Sequence, residues 1–327
     1  FGGFTMQRHP MAFIHEMIRR DKRGLHLYGT SPGGDWDLLI GAGCVRRVEM
    51  AYEADEAFAT IGPRFRNAIE NRLIDCLVST GANLFHDLHE TLGRKHYQGN
   101  PIADDRELLD LGINRIYDVY MSDDDFVEGE GYIAEFSKTL DHNRPYTTRE
   151  YLLLLGEKLC NEAETEGILT SAAKAGVPIY CPAIGDSAIG IGMARGRVKN
   201  GNQVLFDIVK DVIEITQIVL AASVTGVIYV GGGTPKNFIQ QAEVTSYIFG
   251  RELEGHKYAI QITTDSPQWG GLSGCTFEEA VSWGKEQKEA LAVTVNSDAT
   301  IALPIMVSTI AERSAEAIRK RRKPTFI

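Results

Sequence analysis

Short apolar runs alternate with longer helical patterns along most of the chain. Each run is nearly continuous in apolar residues, which is typical of strands that are buried on both faces of a parallel sheet. This alternation predicts an α/β fold, with a doubly wound, mostly parallel Rossmann-like sheet and helices on both faces. The predicted strands are residues 74–78, 177–180, 226–230, 258–262 and 292–295.

Two stretches carry apolar residues at a spacing of three and four, which predicts amphipathic helices. They are residues 205–222 and 151–160. The stretch from Met121 to Arg144 is acidic and then polar, and it interrupts the alternation. We interpret that stretch as a surface excursion.

A loop of small or polar residues follows each predicted strand. In open α/β sheets the ligand binds at the carboxyl ends of the strands. The sequence therefore predicts a site at these five loops. They are residues 79–83, 185–187, 231–234, 263–265 and 297–299.

Composition excludes several classes of function. No apolar run approaches the roughly 20 residues that a bilayer span needs, and no basic-then-apolar leader opens the chain, so we expect a cytoplasmic protein without membrane contact. The formal net charge of −10 argues against a nucleic-acid partner, which would require a basic surface. Five widely spaced cysteines fit neither a disulfide framework nor a zinc site.

Three glycines, Gly231, Gly232 and Gly233, directly follow the predicted strand 226–230. Without side chains their backbone amides could approach a phosphate or ribose, and they could equally form a tight turn. Asp186 and Asp298 follow other strands and could accept hydrogen bonds from ribose hydroxyls. Either aspartate could instead be a helix N-cap.

Lys285 lies two residues after Trp283 and six after Glu279. An apolar neighbour that desolvates a lysine can convert it into a nucleophile, although an isolated lysine is more often a surface residue. His86 and His89 lie three residues apart and lack a third ligand at a recognised spacing. We therefore expect hydrogen bonding from these histidines and no metal site.

Several long stretches resemble the deoxyhypusine synthase family. They are LIDCLVSTGANLFHD, LGINRIYD, GVPIYCPAIGDSAIGIG, VIYVGGGTPKNFIQQ, GGLSGCTFEEAVSWGK and NSDATIALP. The resemblance covers about residues 71–315 and implies a homotetramer of Rossmann-like subunits, with NAD sites between paired subunits. It also implies that spermidine is oxidised, that its aminobutyl group is held on Lys285 as an imine, and that an acceptor amine takes the group.

The resemblance assigns roles to individual residues. Glu279 and Trp283 correspond to the polyamine site, and ten residues correspond to positions that hold NAD. Those ten are Thr80, Gly81, Asp186, Gly231, Gly232, Gly233, Thr264, Asp265, Asp298 and Ala299. Three positions depart from the family pattern: Ile191 and Leu272 replace acids that bind amine groups, and Asn237 replaces the catalytic histidine.

Residues 1–70 resemble instead the start of a class I CoA-transferase alpha subunit, through GGFTMQRHPMAFIHEMIRR and DLLIGAGCVRRVEMAYEADEAF. We expect this segment to pack onto a catalytic domain of residues 71–327. Three functions follow from the sequence. The chain is an aminobutyl transferase whose acceptor is a protein lysine or putrescine, a homologue that binds NAD or polyamine without catalysis, or a fragmentary CoA-transferase.

Overall fold

Residues 17–23, 25–29, 45–50 and 73–321 are described by a computed structural model. The strands are β1 (Leu25–Gly29), β2 (Val45–Met50), β3 (Leu77–Val78), β4 (Tyr97–Gln98), β5 (Ile113–Ile116), β6 (Val119–Ser122), β7 (Pro145–Tyr146), β8 (Ile179–Tyr180), β9 (Leu205–Phe206), β10 (Gly226–Val230), β11 (His256–Thr263) and β12 (Glu286–Asn296). From residue 77 onward the α-helices are α1 (Gly81–Thr91), α2 (Asp105–Asp110), α3 (Asp123–Lys138), α4 (Thr148–Glu162), α5 (Ile168–Ala175), α6 (Ala188–Asn200), α7 (Ile208–Ala221), α8 (Gly233–Thr245), α9 (Phe277–Ser282), α10 (Ala299–Arg313) and α11 (Ala315–Lys320). Three short 3₁₀ helices lie at Ser246–Phe249, Pro267–Trp269 and Leu272–Gly274.

Strand pairing is mostly parallel, which confirms the predicted α/β class. β10, β11 and β12 form a parallel sheet in that order, and β3 with β8, β7 with β9 and β1 with β2 are parallel pairs. The exception among the described strands is the antiparallel group β4-β6-β5. Hydrogen bonds divide the described strands into separate groups, so they do not form one continuous ladder.

The observed strands agree with the predicted bounds only in part. β10 has the predicted bounds, whereas β11 and β12 extend beyond theirs. β3 and β8 are only two residues long. Leu77 N donates to Pro178 O at 3.0 Å, but Pro178 has no N–H to donate in return, so the ladder begins only beyond it.

The prediction of one helix over residues 205–222 was wrong at its start. Leu205 and Phe206 form β9, and α7 begins at Ile208. The carboxylate of Asp207 accepts a hydrogen bond from Lys210 N at 2.9 Å and is the N-cap of α7. Two apolar residues such as Leu205 and Phe206 fit the sequence pattern of a short strand as well as that of a first helical turn. Hydrophobic periodicity alone therefore could not locate the start of the helix.

The interpretation of residues 121–144 as a surface excursion was also wrong. Ser122 caps α3, whose first turn carries the three aspartates 123–125. Negative charge at a helix N-terminus is favourable, so the acidic run begins a helix. Ile133 and Phe136 on the same helix are buried in the main core.

The largest apolar core lies among α1, α3, α4, α5 and α6. Its fully buried side chains include Leu84, Phe85, Ile133, Tyr151 and Leu155. The helix predicted over residues 151–160 is confirmed as part of α4, whose glycine 156 lies directly against α5. These helices form the scaffold from which the loops at residues 79–83 and 185–187 extend.

The N-terminal prediction falls largely outside the described residues. Within residues 1–70 the structure describes residues 17–23, β1 and β2, and β1 pairs with β2 in parallel. Across the part of the chain that the structure describes, we find no helix whose length and apolar character would let it span a bilayer.

Candidate functional site

The glycine triplet forms the turn between β10 and α8. Gly231 and Gly233 have φ angles of +69° and +64°, which glycine adopts far more readily than other residues. Gly232 is the N-cap of α8, and no side chain caps the helix there. The turn interpretation is therefore correct, and the first N–H groups of α8 also remain available to an anionic group.

Three of the predicted loops meet at the carboxyl edge of the β10-β11-β12 sheet. Gly231 N donates to Ile262 O at 2.7 Å, and Ser297 N donates to Thr263 O at 3.2 Å. These bonds continue the parallel pairing past the ends of the strands. They bring together residues 231–234, 263–265 and 297–299.

Four of the residues assigned to NAD lie in the second and third of these loops. Thr264 is exposed, and Asp265 is half-buried, with its backbone N–H donating to Thr263 Oγ1 at 3.1 Å. Asp298 is the N-cap of α10, which begins at Ala299, and its Oδ1 accepts a hydrogen bond from Thr300 N at 2.9 Å. Asp298 is therefore a helix N-cap, which was the alternative interpretation, and it caps the helix through Oδ1.

The other two predicted loops meet beside the β3-β8 pair. Thr80 caps α1 by accepting a hydrogen bond from Asn83 N at 3.3 Å, and Ser187 caps α6. A Cβ on Gly81 would overlap the Ser187 hydroxyl, so glycine allows the two helix N-termini to approach. Asp186 precedes that cap, is exposed, and is not itself the N-cap.

Helix α8 connects the two groups of loops. Its Phe238 packs against Tyr180 of β8 with ring centroids 6.2 Å apart, in a small apolar cluster with Val219 and Ala242. The preceding residue, Asn237, points away from this cluster and toward Lys285, whose Nζ donates to Asn237 Oδ1. Asn237 is therefore held on a helix that contacts both parts of the predicted site.

Lys285 lies next to Asn237. Its Nζ donates to Asn237 Oδ1 at 2.9 Å and lies 5.8 Å from the centroid of the Trp283 ring, within the range of a cation–π contact. Lys285 is half-buried, whereas the Trp283 side chain is 66% exposed. An amine placed beside an open aromatic face is accessible to a small carbonyl or imine compound.

The segment that carries Lys285 is held by helix α9. Thr276 caps α9 by accepting a hydrogen bond from Glu279 N at 3.1 Å, and the Glu279 side chain is exposed. Lys285 N donates to Ala280 O at 3.1 Å after a left-handed turn at Gly284. Lys285, Trp283 and Asn237 are thus brought together, and Glu279 lies on the adjoining helix.

The two apolar departures from the family pattern lie on the surface. Ile191 is 53% exposed on α6, and Leu272 is 46% exposed in the 3₁₀ segment before α9. Neither is needed to fill the apolar core. Their exposure leaves them free to contact a ligand or a second protein.

A polar network that the sequence reasoning missed lies beneath Asn237 and Lys285. Lys236 is 2% exposed, and its Nζ donates to Gln261 Oε1 at 3.0 Å and to Cys275 O at 2.7 Å. Burial lowers the pKa of Lys236. The available signal was the spacing of polar residues 236, 240 and 243, which places them on one face of α8.

The residue after Lys285 belongs to the same network. Glu286 is 1% exposed and accepts hydrogen bonds from Tyr229 Oη at 3.2 Å and from Gln240 Nε2 at 3.5 Å. Burial raises the pKa of this carboxyl group. Lys236 and Asn237 are adjacent in sequence, as are Lys285 and Glu286. In each pair one residue is buried, Lys236 or Glu286, and the other, Asn237 or Lys285, lies at the site.

Of the two histidines of α1, His86 belongs to a hydrogen-bonded chain, as expected, whereas neither ring nitrogen of the buried His89 has a hydrogen-bond partner among the described residues. His86 Nδ1 lies 2.9 Å from His96 Nε2, and His96 Nδ1 lies 2.8 Å from Glu90 Oε1. His89 is fully buried beside them, and burial lowers its pKa to about 4. Over the described ranges no group of three or more His, Cys, Asp or Glu side chains has a geometry that could hold a metal ion.

A groove of roughly 600 Å³ lies on the face of the β10-β11-β12 sheet opposite α8. Its lining includes Ile228, Tyr258, Leu291 and Val293, all of them exposed. None of the residues assigned to NAD or polyamine lines this groove. The predicted site is instead formed by the loops at the strand ends.

A family model described as deoxyhypusine synthase matches residues 49–310 of this chain. "Probable deoxyhypusine synthase 2" of Methanosarcina mazei is 51% identical over 259 residues, which are 79% of this chain and 74% of that protein. "Deoxyhypusine synthase-like protein" of Coxiella burnetii is 38% identical over 253 residues, 76% of this chain and 71% of that protein. A crystal structure of a "putative deoxyhypusine synthase" from Entamoeba histolytica superposes on this chain with a TM-score of 0.52 at 16% sequence identity. The match covers 92% of this chain and 78% of the Entamoeba chain, and it shows likeness of fold.

Proposed function

This chain belongs to the deoxyhypusine synthase family, and from that premise we propose that it is an NAD-dependent aminobutyl transferase that works through an imine on Lys285. The observation that carries the proposal is the position of the Lys285 amine, half-buried, 2.9 Å from Asn237 Oδ1 and beside the open face of Trp283. A family name implies a transferase, and this site supplies the nucleophile that such a transfer needs.

The loops at the strand ends fit NAD. The turn at Gly231 to Gly233 exposes backbone amides at the start of α8, where no side chain occupies them, and a pyrophosphate is the group that such a helix N-terminus binds. Asp265 and Asp298 would accept hydrogen bonds from ribose hydroxyls, together with the neighbouring Thr264. Thr80 and Asp186 would contact the same cofactor from the second group of loops. Bound NAD would accept a hydride from the polyamine and later return it.

The chain's own residues would carry out the group transfer. The Lys285 amine attacks the imine carbon of oxidised spermidine, a new C–N bond forms, and the bond to 1,3-diaminopropane breaks as that amine leaves with the proton that Lys285 gives up. An acceptor amine then displaces Lys285 by the same exchange. Glu279 would pair with a substrate ammonium, and Trp283 would pack against its methylenes.

Asn237 would orient the Lys285 amine. Its Oδ1 accepts the Nζ hydrogen bond, and an amide cannot act as a proton shuttle near neutral pH. Ile191 and Leu272 offer no carboxylate to an amine, so two anchors of the family pattern are absent here. We therefore favour a small acceptor such as putrescine, which would give homospermidine, over a protein lysine, which would give deoxyhypusine.

The proposal is tested by mass spectrometry of amines after incubation with NAD and spermidine, with and without putrescine. We expect 1,3-diaminopropane release that requires NAD, and homospermidine when putrescine is present. Lys285→Ala should abolish both products while NAD binding persists, and Lys288→Ala, an exposed lysine three residues on, should behave as wild type.

Each other outcome has a defined meaning. Undiminished transfer by Lys285→Ala would refute the imine mechanism. NAD binding without any product would favour a homologue that binds without catalysis. Transfer to a protein lysine but not to putrescine would reverse our preference between the two acceptors.

A further inference from the structure

A lysine in the core beneath the site requires an explanation. Lys236 is 2% exposed, and lysine is among the residue types that are almost never fully buried unless paired. Replacing a buried ionic group by a well-packed apolar residue is often neutral or stabilising. Stability alone therefore does not account for an ammonium group at this position.

The hydrogen bonds of Lys236 lead to both halves of the site. One goes to Cys275 O, at 2.7 Å, in the loop that leads into α9 and so to Lys285. The other goes to Gln261 Oε1, at 3.0 Å. Gln261 is 1% exposed, and its Nε2 donates to Gly231 O at 2.9 Å and to Ser273 O at 2.8 Å.

The ammonium group is enclosed on its remaining side by two aromatic rings. Lys236 Nζ lies 5.6 Å from the centroid of Tyr229 and 6.0 Å from that of Phe277, both buried. Two carbonyl acceptors and two rings leave the amine little freedom to move. It is thus a fixed point between the glycine turn, the 272–275 loop and the first residue of α9.

We infer that Lys236 is a positioning residue that holds the glycine turn and the 272–275 loop at a fixed separation, and thereby places Lys285 relative to the cofactor. Hydride transfer and imine exchange take place on the same substrate carbon, so both groups must lie within reach of it at once. This inference rests on the proposed function for its catalytic consequence, but the coupling of the two loops can be measured without it.

The test compares Lys236→Met with wild type and with Lys257→Met, in full-length protein. Methionine approximates the length of the lysine side chain but cannot donate the two hydrogen bonds that Lys236 Nζ makes. Lys257 is the control because it is an exposed lysine, on β11. We expect hydrogen exchange in peptides covering 229–235 and 271–276 to rise at least about tenfold in Lys236→Met, with exchange in α4 unchanged. We expect kcat for transfer to fall at least about tenfold, with KM for spermidine within about threefold, since positioning acts on the reacting geometry.

A second variant covers the case in which Lys236→Met does not fold. Gln261→Glu keeps an acceptor for Lys236 and allows an ion pair with it, but removes the Nε2 donor from which Gly231 O and Ser273 O accept hydrogen bonds. It should fold and show the same rise in exchange in both loops.

Unchanged exchange in the two loops would overturn the inference, as would wild-type kcat in a folded variant. If wild type itself transfers no aminobutyl group, the proposed function fails, and the exchange data alone decide whether Lys236 couples the loops.

Discussion

Replacing Gly232 by alanine tests whether contact between the glycine turn and the 272–275 loop sets the geometry of the site. The added Cβ would lie 2.8 Å from Ser273 Oγ and 2.9 Å from Ser273 Cβ, closer than carbon atoms pack, so one of the two loops must move. Adding one methyl group to a tightly packed region costs about 1–3 kcal/mol. We expect Gly232→Ala to lower the free energy of unfolding by about 2 kcal/mol.

The displaced loop should also weaken NAD binding. A loss of about 1.4 kcal/mol in binding free energy corresponds to roughly tenfold in Kd, and we expect at least that change, because the turn lies at the proposed pyrophosphate site. Urea denaturation at one fixed protein concentration measures the first effect. Titration with NAD, followed by tryptophan fluorescence, measures the second.

Gly226→Ala is the matched control for this experiment. It begins β10, the strand that leads into the glycine turn, and its Cβ would meet Tyr258 Cβ at 3.4 Å, an ordinary van der Waals distance. Its free energy of unfolding should change by less than about 0.5 kcal/mol, and NAD affinity should be preserved. Equal losses in both variants would point to a general effect of alanine, and wild-type stability and affinity in Gly232→Ala would refute the argument.

Two further predictions concern stability away from the site. Burial raises the pKa of Asp211 to about 6, so this carboxyl stabilises the folded state fully below about pH 4 and loses that contribution as the pH rises to about 6. Asp211→Asn should remove a pH-dependent decrease of up to about 3 kcal/mol in the free energy of unfolding over that range, and identical pH profiles would contradict this. Gly156→Ala would place a Cβ 2.6 Å from Leu169 O, so we expect a loss of about 1–2 kcal/mol in urea denaturation despite the better helix propensity of alanine, and an unchanged or raised midpoint would count against it.

The parallel strands could be predicted because their apolar runs are long and end at small residues. β10 has its predicted bounds, and β11 and β12 include theirs, because their apolar runs are continuous even though one face of this sheet is exposed at Ile228, Leu291 and Val293. The meeting of the loops at the strand ends follows from parallel pairing alone. The start of α7 and the whole of α3 could not be found this way, because Asp207 and Ser122 act as caps, and a cap is recognisable only when the helix after it is known.

The site itself was only partly predictable. The hydrogen bond between Lys285 and Asn237 joins residues 48 positions apart, and no spacing rule connects them. Family resemblance pointed to both residues, and the fold brings them together. Lys236 was missed because a lysine on an amphipathic helix normally marks the solvent face, and here the buried face of α8 is itself polar.

Helix α8 therefore has two requirements that act against each other. Its buried Lys236, Gln240 and Glu243 need partners for every polar group, and such networks contribute little net stability even when they are satisfied. Its apolar attachment comes from Phe238 and Ala242, which share a cluster with Tyr180, and from Ile239, which packs against a second cluster. A helix selected for stability alone would extend that apolar contact across its inner face. Keeping a polar inner face fixes the direction of Asn237 and the position of the glycine turn, and those are the properties that a site at the end of this helix needs.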